Sequence, residues 1–299
     1  MANQAENWYR EHLDTRVRHI YQAQGNYLDG TMAGGDLEAG EYKFPVFGRL
    51  EAYKLTGSIQ LVNASRGDMS TVDVKPDDFE ASAWIYTPDI YKQGPNQREA
   101  TAQALSRAIG RTADHIKLGA LRAFKASAPD RVQTIGDGST IIDLPDLSEA
   151  IGTLIGGSVS DEIFCPLPAM WNEQLKYYKE WGSSEWVGPA DMPLSKRNNV
   201  QKRTYNGVNY FTLPNEYFGI VPGQPAPTAI KTFMWAKDAM GAETPMKDGI
   251  PSFTQHHDRE GNPWLGKVGM AGCAVGIMPE GVKELHFRWI DKPTRPAAN

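Results

Sequence analysis

His256-His257-Asp258 are the residues of this 299-residue chain best suited by type to hold a metal ion. Imidazoles and a carboxylate are ordinary zinc ligands. Neighbouring side chains on a strand point to opposite faces, however, and no third ligand stands at a recognised spacing, so the pattern predicts an exposed polar loop with no metal. His286, alone in the apolar run KELHFRWI, reads as a packed strand histidine. Asp77-Asp78 could do acid–base work as a carboxylate pair, but that chemistry needs a cleft to orient both groups. Their setting after Pro76 predicts a solvated turn instead. Cys165, between Phe164 and Pro166, has no adjacent histidine, and it reads with Cys273 as a pair of buried thiols. Ser183-Ser184 lack the G-x-S-x-G setting of an acyl-transfer nucleophile. Trp171, Tyr177, Tyr178, Trp181 and Trp186 could stack on sugars or bases. The lysines among them, Lys176 and Lys179, are offset by Glu173, Glu180 and Glu185, so no basic groove accompanies the rings and a core or intersubunit contact is the better reading.

The glycine-rich stretch WLGKVGMAGCAVGIMPEGVKEL, residues 264–285, offers G-x-x-G-x-x-G. A dinucleotide fingerprint needs G-x-G-x-x-G between strand and helix, and a P-loop ends in Gly-Lys-Ser/Thr. Neither is present. Its apolar part is also much shorter than the roughly 20 residues of a membrane span. No catalytic, cofactor-binding or metal-binding residue follows from any of these patterns, and no membrane association is expected.

The elements that would position such groups form an unusual series. A net charge of −5, with 22% charged and 40% hydrophobic residues, suits a folded soluble chain and gives no basic nucleic-acid-binding face. The first residues carry acids and no apolar run, unlike a secretion signal. After a short amphipathic segment (Trp8, Leu13, Val17, Ile20), the glycine-rich run GNYLDGTMAGGDLEAGEYKFPVFGRL predicts irregular, extended chain. Between Tyr42 and Tyr86, two runs of alternating polarity flank turn-type residues around Asn63–Asp68 and predict a long two-stranded hairpin with two rather polar faces. Such a ribbon is marginal alone and needs outside contacts. The helix signal is strongest near residues 97–126, where Leu105, Ile109, Ile116, Ala120 and Phe124 recur at helical spacing. Arg107, Arg111, Asp114, Lys117 and Arg122 are expected elsewhere around the cylinder. Gly110 and Gly119 weaken this helix by about 1 kcal/mol each and predict close approach of another backbone. A short helix over 146–155, the strand EIFCPLP, a helix over 168–178 and a mixed region to Gln255 follow.

Taken in order, and with the phrases CPLPAMWNEQL and FMWAKDAMGAE, these segments resemble the major capsid proteins of tailed double-stranded-DNA bacteriophages. The resemblance implies an α+β, HK97-like capsid fold: an N-terminal arm (1–43), an extended hairpin loop (44–85), and a peripheral domain (86–165) with a spine helix (96–126). An axial domain (166–264) and a return to the peripheral domain with a C-terminal tail (265–299) complete it. It further implies a subunit that assembles into hexamers and pentamers of an icosahedral head enclosing DNA, made in the bacterial host cytoplasm and residing in the virion. A separate scaffolding protein and a portal are implied partners, a decoration protein is another candidate, and contact with packaged double-stranded DNA would be weak and non-specific, through scattered helix cations. Hairpin contacts to a neighbouring subunit are expected from Arg49, Glu51, Lys54, Arg66 and Asp68, and spine-helix packing at Gly110 and Gly119. Under this reading Gly269, Gly272 and Gly276 let the strand of the glycine-rich stretch pack against the spine helix. A cellular compartment shell on the same fold, or an enzyme with a cryptic site, are the alternatives.

Overall fold

The computed structural model describes residues 23–48, 50, 67–86, 96–178, 181, 202–220, 224–245 and 251–294. In chain order the elements are β1 (Asp36–Glu38), β2 (Glu41–Phe47), β3 (Met69–Val74), β4 (Asp77–Ile85), α1 (Asn96–Ser127), β5 (Thr134–Ile135), α2 (Leu144–Gly156), β6 (Ile163–Pro168) and α3 (Ala169–Leu175). Then come β7 (Lys202–Tyr205), β8 (Val208–Leu213), β9 (Ala229–Ala236), β10 (Met240–Glu243), β11 (Ser252–Gln255), β12 (Trp264–Gly276) and β13 (Val282–Arg288). The mixture of long helix and three sheets is the α+β architecture expected.

Helix α1, about 48 Å long at 1.5 Å per residue, lies along β12. Strand alternation sends Gly266, Val268, Met270 and Gly272 to the buried helix-facing side, where Val268 and Met270 pack with Leu105, Ile109 and Ala113. One edge of β12 pairs with β4, from Trp264↔Ile85 to Gly272↔Asp77, and the other takes β11 and then β10.

This pairing corrects the hairpin. Its described stem is β2 with β3, in the register Tyr42↔Val74 to Phe47↔Met69, with β1 added at the edge of β2. Pro76 supplies no ladder donor and separates β3 from β4. Beyond it β4 leaves the stem for β12, so Asp77 and Asp78 begin a strand and are not a turn. Nor is the stem polar on both faces. Tyr42 and Phe44 are buried with Cys273, against Val72, Val74, Val275 and Ile277. The Phe44 ring lies on Gly35 and Gly241, where a Cβ would come within 2.7 and 2.4 Å of it.

The six-stranded sheet has the order β5-β13-β9-β6-β8-β7. Alternation separates two cores: Ile163, Cys165, Val208, Tyr210, Met234, Leu285 and Phe287 face α2 and α3, while Phe164, Phe211, Phe233 and Trp235 pack with Leu28, Leu118 and Leu121 of the arm and α1. Helix α2 starts where Asp143 accepts the Leu144 amide at 2.6 Å, with Pro145 in the first turn where its missing N–H costs nothing. Strand β13, from the stretch 265–299, and β6, which straddles 165/166, share this one sheet.

Candidate functional site

Two places in the fold carry the residues singled out by sequence. The first is the outer end of the hairpin stem. Arg49, Glu51, Lys54 and Arg66 lie outside the described residues, and Asp68 is exposed, its backbone carbonyl accepting the Gly48 amide at 2.7 Å. The described chemistry beside it is apolar. Phe47, Leu50 and Met69 are 57%, 53% and 77% exposed, and Phe47 stands opposite Met69 in the ladder. Gly67 lies under this group, since a Cβ there would meet the Phe47 ring at 2.6 Å and Leu50 at 3.3 Å.

The second place is the middle of α1, where the segment 23–33 docks. Asp114, fully buried, accepts from the amides of Tyr27 at 3.1 Å and Leu28 at 3.0 Å, and from the Tyr217 hydroxyl at 3.0 Å. One carboxylate thus joins the arm, the helix and the turn after β8. Burial raises its pKa to about 6, against the lowering effect of these donors. Burial, and then the Asp114 charge, push the Tyr217 phenol upward, so it stays a neutral donor. One helical turn on, the buried Lys117 ammonium meets Asp29 at 2.8 Å.

Asp114 and Lys117 therefore sit on the packed side of α1 and not elsewhere around the cylinder. An acid and a lysine three apart, among the buried positions Ala113, Leu118 and Leu121, are the sequence signal for this clasp. Three of the other helix cations hold loops: Arg111 donates to the Ala23 carbonyl at 3.1 Å, Arg122 to the Tyr217 carbonyl at 3.0 Å, and Lys125 to the carbonyls of Pro129 and Val132. Of the helix cations expected to be scattered, Arg111, Lys117 and Arg122 thus each have a partner within the subunit.

Glycines set the approach distances. A Cβ on Gly110 would stand 3.2 Å from Asn26 and from the Cα of Gly25, and one on Gly25, whose φ is +81°, would meet the Gly110 carbonyl carbon at 2.3 Å. At Gly119 a Cβ would meet nothing within 4 Å, so the close approach expected at both helix glycines occurs among the described residues at Gly110 alone. On β12, a Cβ on Gly266, Gly272 or Gly276 would meet Leu105 at 3.2 Å, Ile116 at 2.8 Å and Phe124 at 2.1 Å respectively. Gly269 is an odd-numbered position and points, by alternation, away from the helix.

The remaining chemical candidates disperse. Cys165 and Cys273 are buried free thiols, both raised by burial. His256 pairs with Asp258 at 3.3 Å and packs edge-on against Trp84, and no cluster of three metal-ligating side chains occurs among the described residues. Trp171 and Trp181 are core, Tyr177 is exposed, and Ser183, Ser184 and Trp186 lie outside the described residues. No described helix is long and apolar enough to cross a membrane.

The sequence matches the phage capsid protein family over residues 5–288. No curated protein matches it. In fold it is similar to the capsid of Ralstonia phage GP4, at 11% identity and a TM-score of 0.67 over 94% of this chain and 96% of that one. It is also similar to the acid-stable capsid of Helicobacter pylori bacteriophage KHP30, at 11% identity and 0.62 over 97% and 98%, and to the capsid of cyanophage Pam1, at 13% and 0.61 over 93% and 96%.

Proposed function

The chain belongs to the phage capsid protein family, and from that membership we infer how its surfaces are used in the shell it builds. It is a structural capsid subunit with the HK97-like fold. The hairpin rests on an adjacent subunit, and hexamers and pentamers close the icosahedral head. The observation that carries this use of the hairpin is the exposed group Phe47, Leu50 and Met69 beside Asp68. Three large apolar side chains that each leave more than half of their surface in water, among charged residues, are suited to burial against another molecule. The charged residues Arg49, Glu51, Lys54, Arg66 and Asp68 serve that contact as its polar rim. The family match favours a phage head over a cellular compartment. A scaffolding protein, a portal, a decoration protein and the packaged double-stranded DNA are the partners this role calls for.

Negative-stain microscopy of the expressed chain, alone and with its genomic neighbours, tests the proposal. Closed particles are expected for the wild type. The triple variant Phe47→Ser, Leu50→Ser, Met69→Ser should keep the wild-type circular dichroism yet remain as free subunits. Shells from that variant at wild-type yield would remove the hairpin contact, and absence of particles from every wild-type preparation would remove the assembly reading itself.

A further inference from the structure

The Asp114 clasp has no role in the assembly contacts above, and its construction is unusual. A carboxylate fully removed from water is held by three donors on two segments distant in sequence, the amides of Tyr27 and Leu28 and the hydroxyl of Tyr217. Yet among the described residues no cation comes within ion-pair distance of it. Lys117, on the same helix, is committed to Asp29 at 2.8 Å, and Arg111 reaches the Ala23 carbonyl. The other titratable and charged groups facing the clasp are Tyr27 and Asp29 on the arm, Arg107, Arg122 and His115 on the helix, with the His115 ring 5.0 Å from that of Tyr217, and Glu216 and Tyr217 on the turn after β8. The Lys117 charge still favours the ionised carboxylate from beyond contact distance, but together with the three hydrogen bonds it offsets the desolvation of the buried charge only in part. The amides that meet this charge belong to the segment that covers it.

We propose that Asp114 couples docking of the segment 23–33 to uptake of a proton, so that the arm is clamped to the spine helix more tightly as the medium becomes acidic. The direction follows from linkage. With the arm docked, Asp114 is buried and its pKa stands at about 6; with the arm lifted, the carboxyl meets water and returns toward the ordinary 3.8. The docked state therefore binds the proton more tightly, and docking gains strength as pH falls through 6 and loses it as pH rises. Between pH 7.5 and 5.0 these two values correspond to a gain of about tenfold in the docking equilibrium. Burial lowers the His115 pKa, so the imidazole is biased toward its neutral form and must be separated from Asp114 in any test.

Hydrogen–deuterium exchange of residues 23–33, corrected for the intrinsic pH dependence of exchange, makes the measurement. It is done on the full chain as wild type, Asp114→Asn and His115→Gln. Protection of the Tyr27 and Leu28 amides should rise about tenfold from pH 7.5 to 5.0 in the wild type and in His115→Gln. In Asp114→Asn, where the side chain is neutral throughout, it should be the same at both values. Equal protection at the two pH values in the wild type overturns the proposal, as does a rise that survives in Asp114→Asn. Should that variant not fold, the carboxyl carbon resonance of Asp114 in the wild type decides: a midpoint above 5 supports the coupling and one below 5 ends it.

Discussion

Gly276 and Gly119 omit the same atom to opposite effect. A side chain at Gly276 would enter the Phe124 ring, whereas one at Gly119 would enter open space. Gly276→Val should therefore lower stability by about 1–3 kcal/mol through overpacking. Gly119→Ala should raise it by about 0.5–1 kcal/mol, because alanine restricts the unfolded chain and suits a helix interior. Midpoints of urea unfolding, at unchanged slope, check both. Lys117 gives a second contrast: Asp29→Ala leaves a buried ammonium without its partner and should cost roughly 1–3 kcal/mol, more than the 0–1 of an exposed pair. Removing both charges with Asp29→Ala and Lys117→Met should recover most of that loss in the same assay. At this scale little was legible. Asp114 and Lys117 look like surface residues to any reading that assigns polar side chains to the outside. Only their place on the buried stripe of α1 betrays them, and the partners that explain them lie about 90 residues away in sequence.

The stem of the hairpin and its distal part answer to different forces. Phe44 is core, seated on two glycines from β10 and the arm, so Phe44→Ala should destabilise the subunit by about 3–5 kcal/mol. Replacing residues 51–66 by a short glycine linker leaves every described stem contact in place. The unfolding midpoint should then stay within experimental error of the wild type, while shells fail to form under microscopy. A lowered midpoint would place that segment in the subunit's own core. The elements themselves were readable, because α1 shows a sustained 3.6-residue period, and β3 and β4 alternate. Their partners were not. The pairing of β4 with β12 joins residues nearly 190 positions apart, and alternation says which face a strand buries without saying which strand lies beside it. Pro76 was the available clue, a break in donors between two runs that otherwise read as one arm.

For the whole subunit, the charge balance and the commitment of Arg111, Arg122 and Lys125 to carbonyls and of Lys117 to Asp29 weigh against tight DNA binding. Unassembled subunits titrated against unrelated duplexes at physiological salt should give no discrete gel-shift band, and any retardation at low salt should be independent of sequence and disappear as salt is raised. A tight complex with one sequence would contradict the structural role. The alignment of β12 with α1 has a mechanical consequence. Contacts run in step from Arg98 over Trp264, through Leu105 on Gly266 and Ile116 on Gly272, to Phe124 on Gly276. The 26 residue steps from 98 to 124 rise about 39 Å along the helix and the 12 steps from 264 to 276 about 40 Å along the strand, so the two rises match over the full length. Strand and helix behave as a laminated beam pinned at four points. To flex it, one layer must slide past the other and lift Leu105, Ile116 and Phe124 from their glycine sockets, so the pair resists bending along its length and yielding is left to its ends.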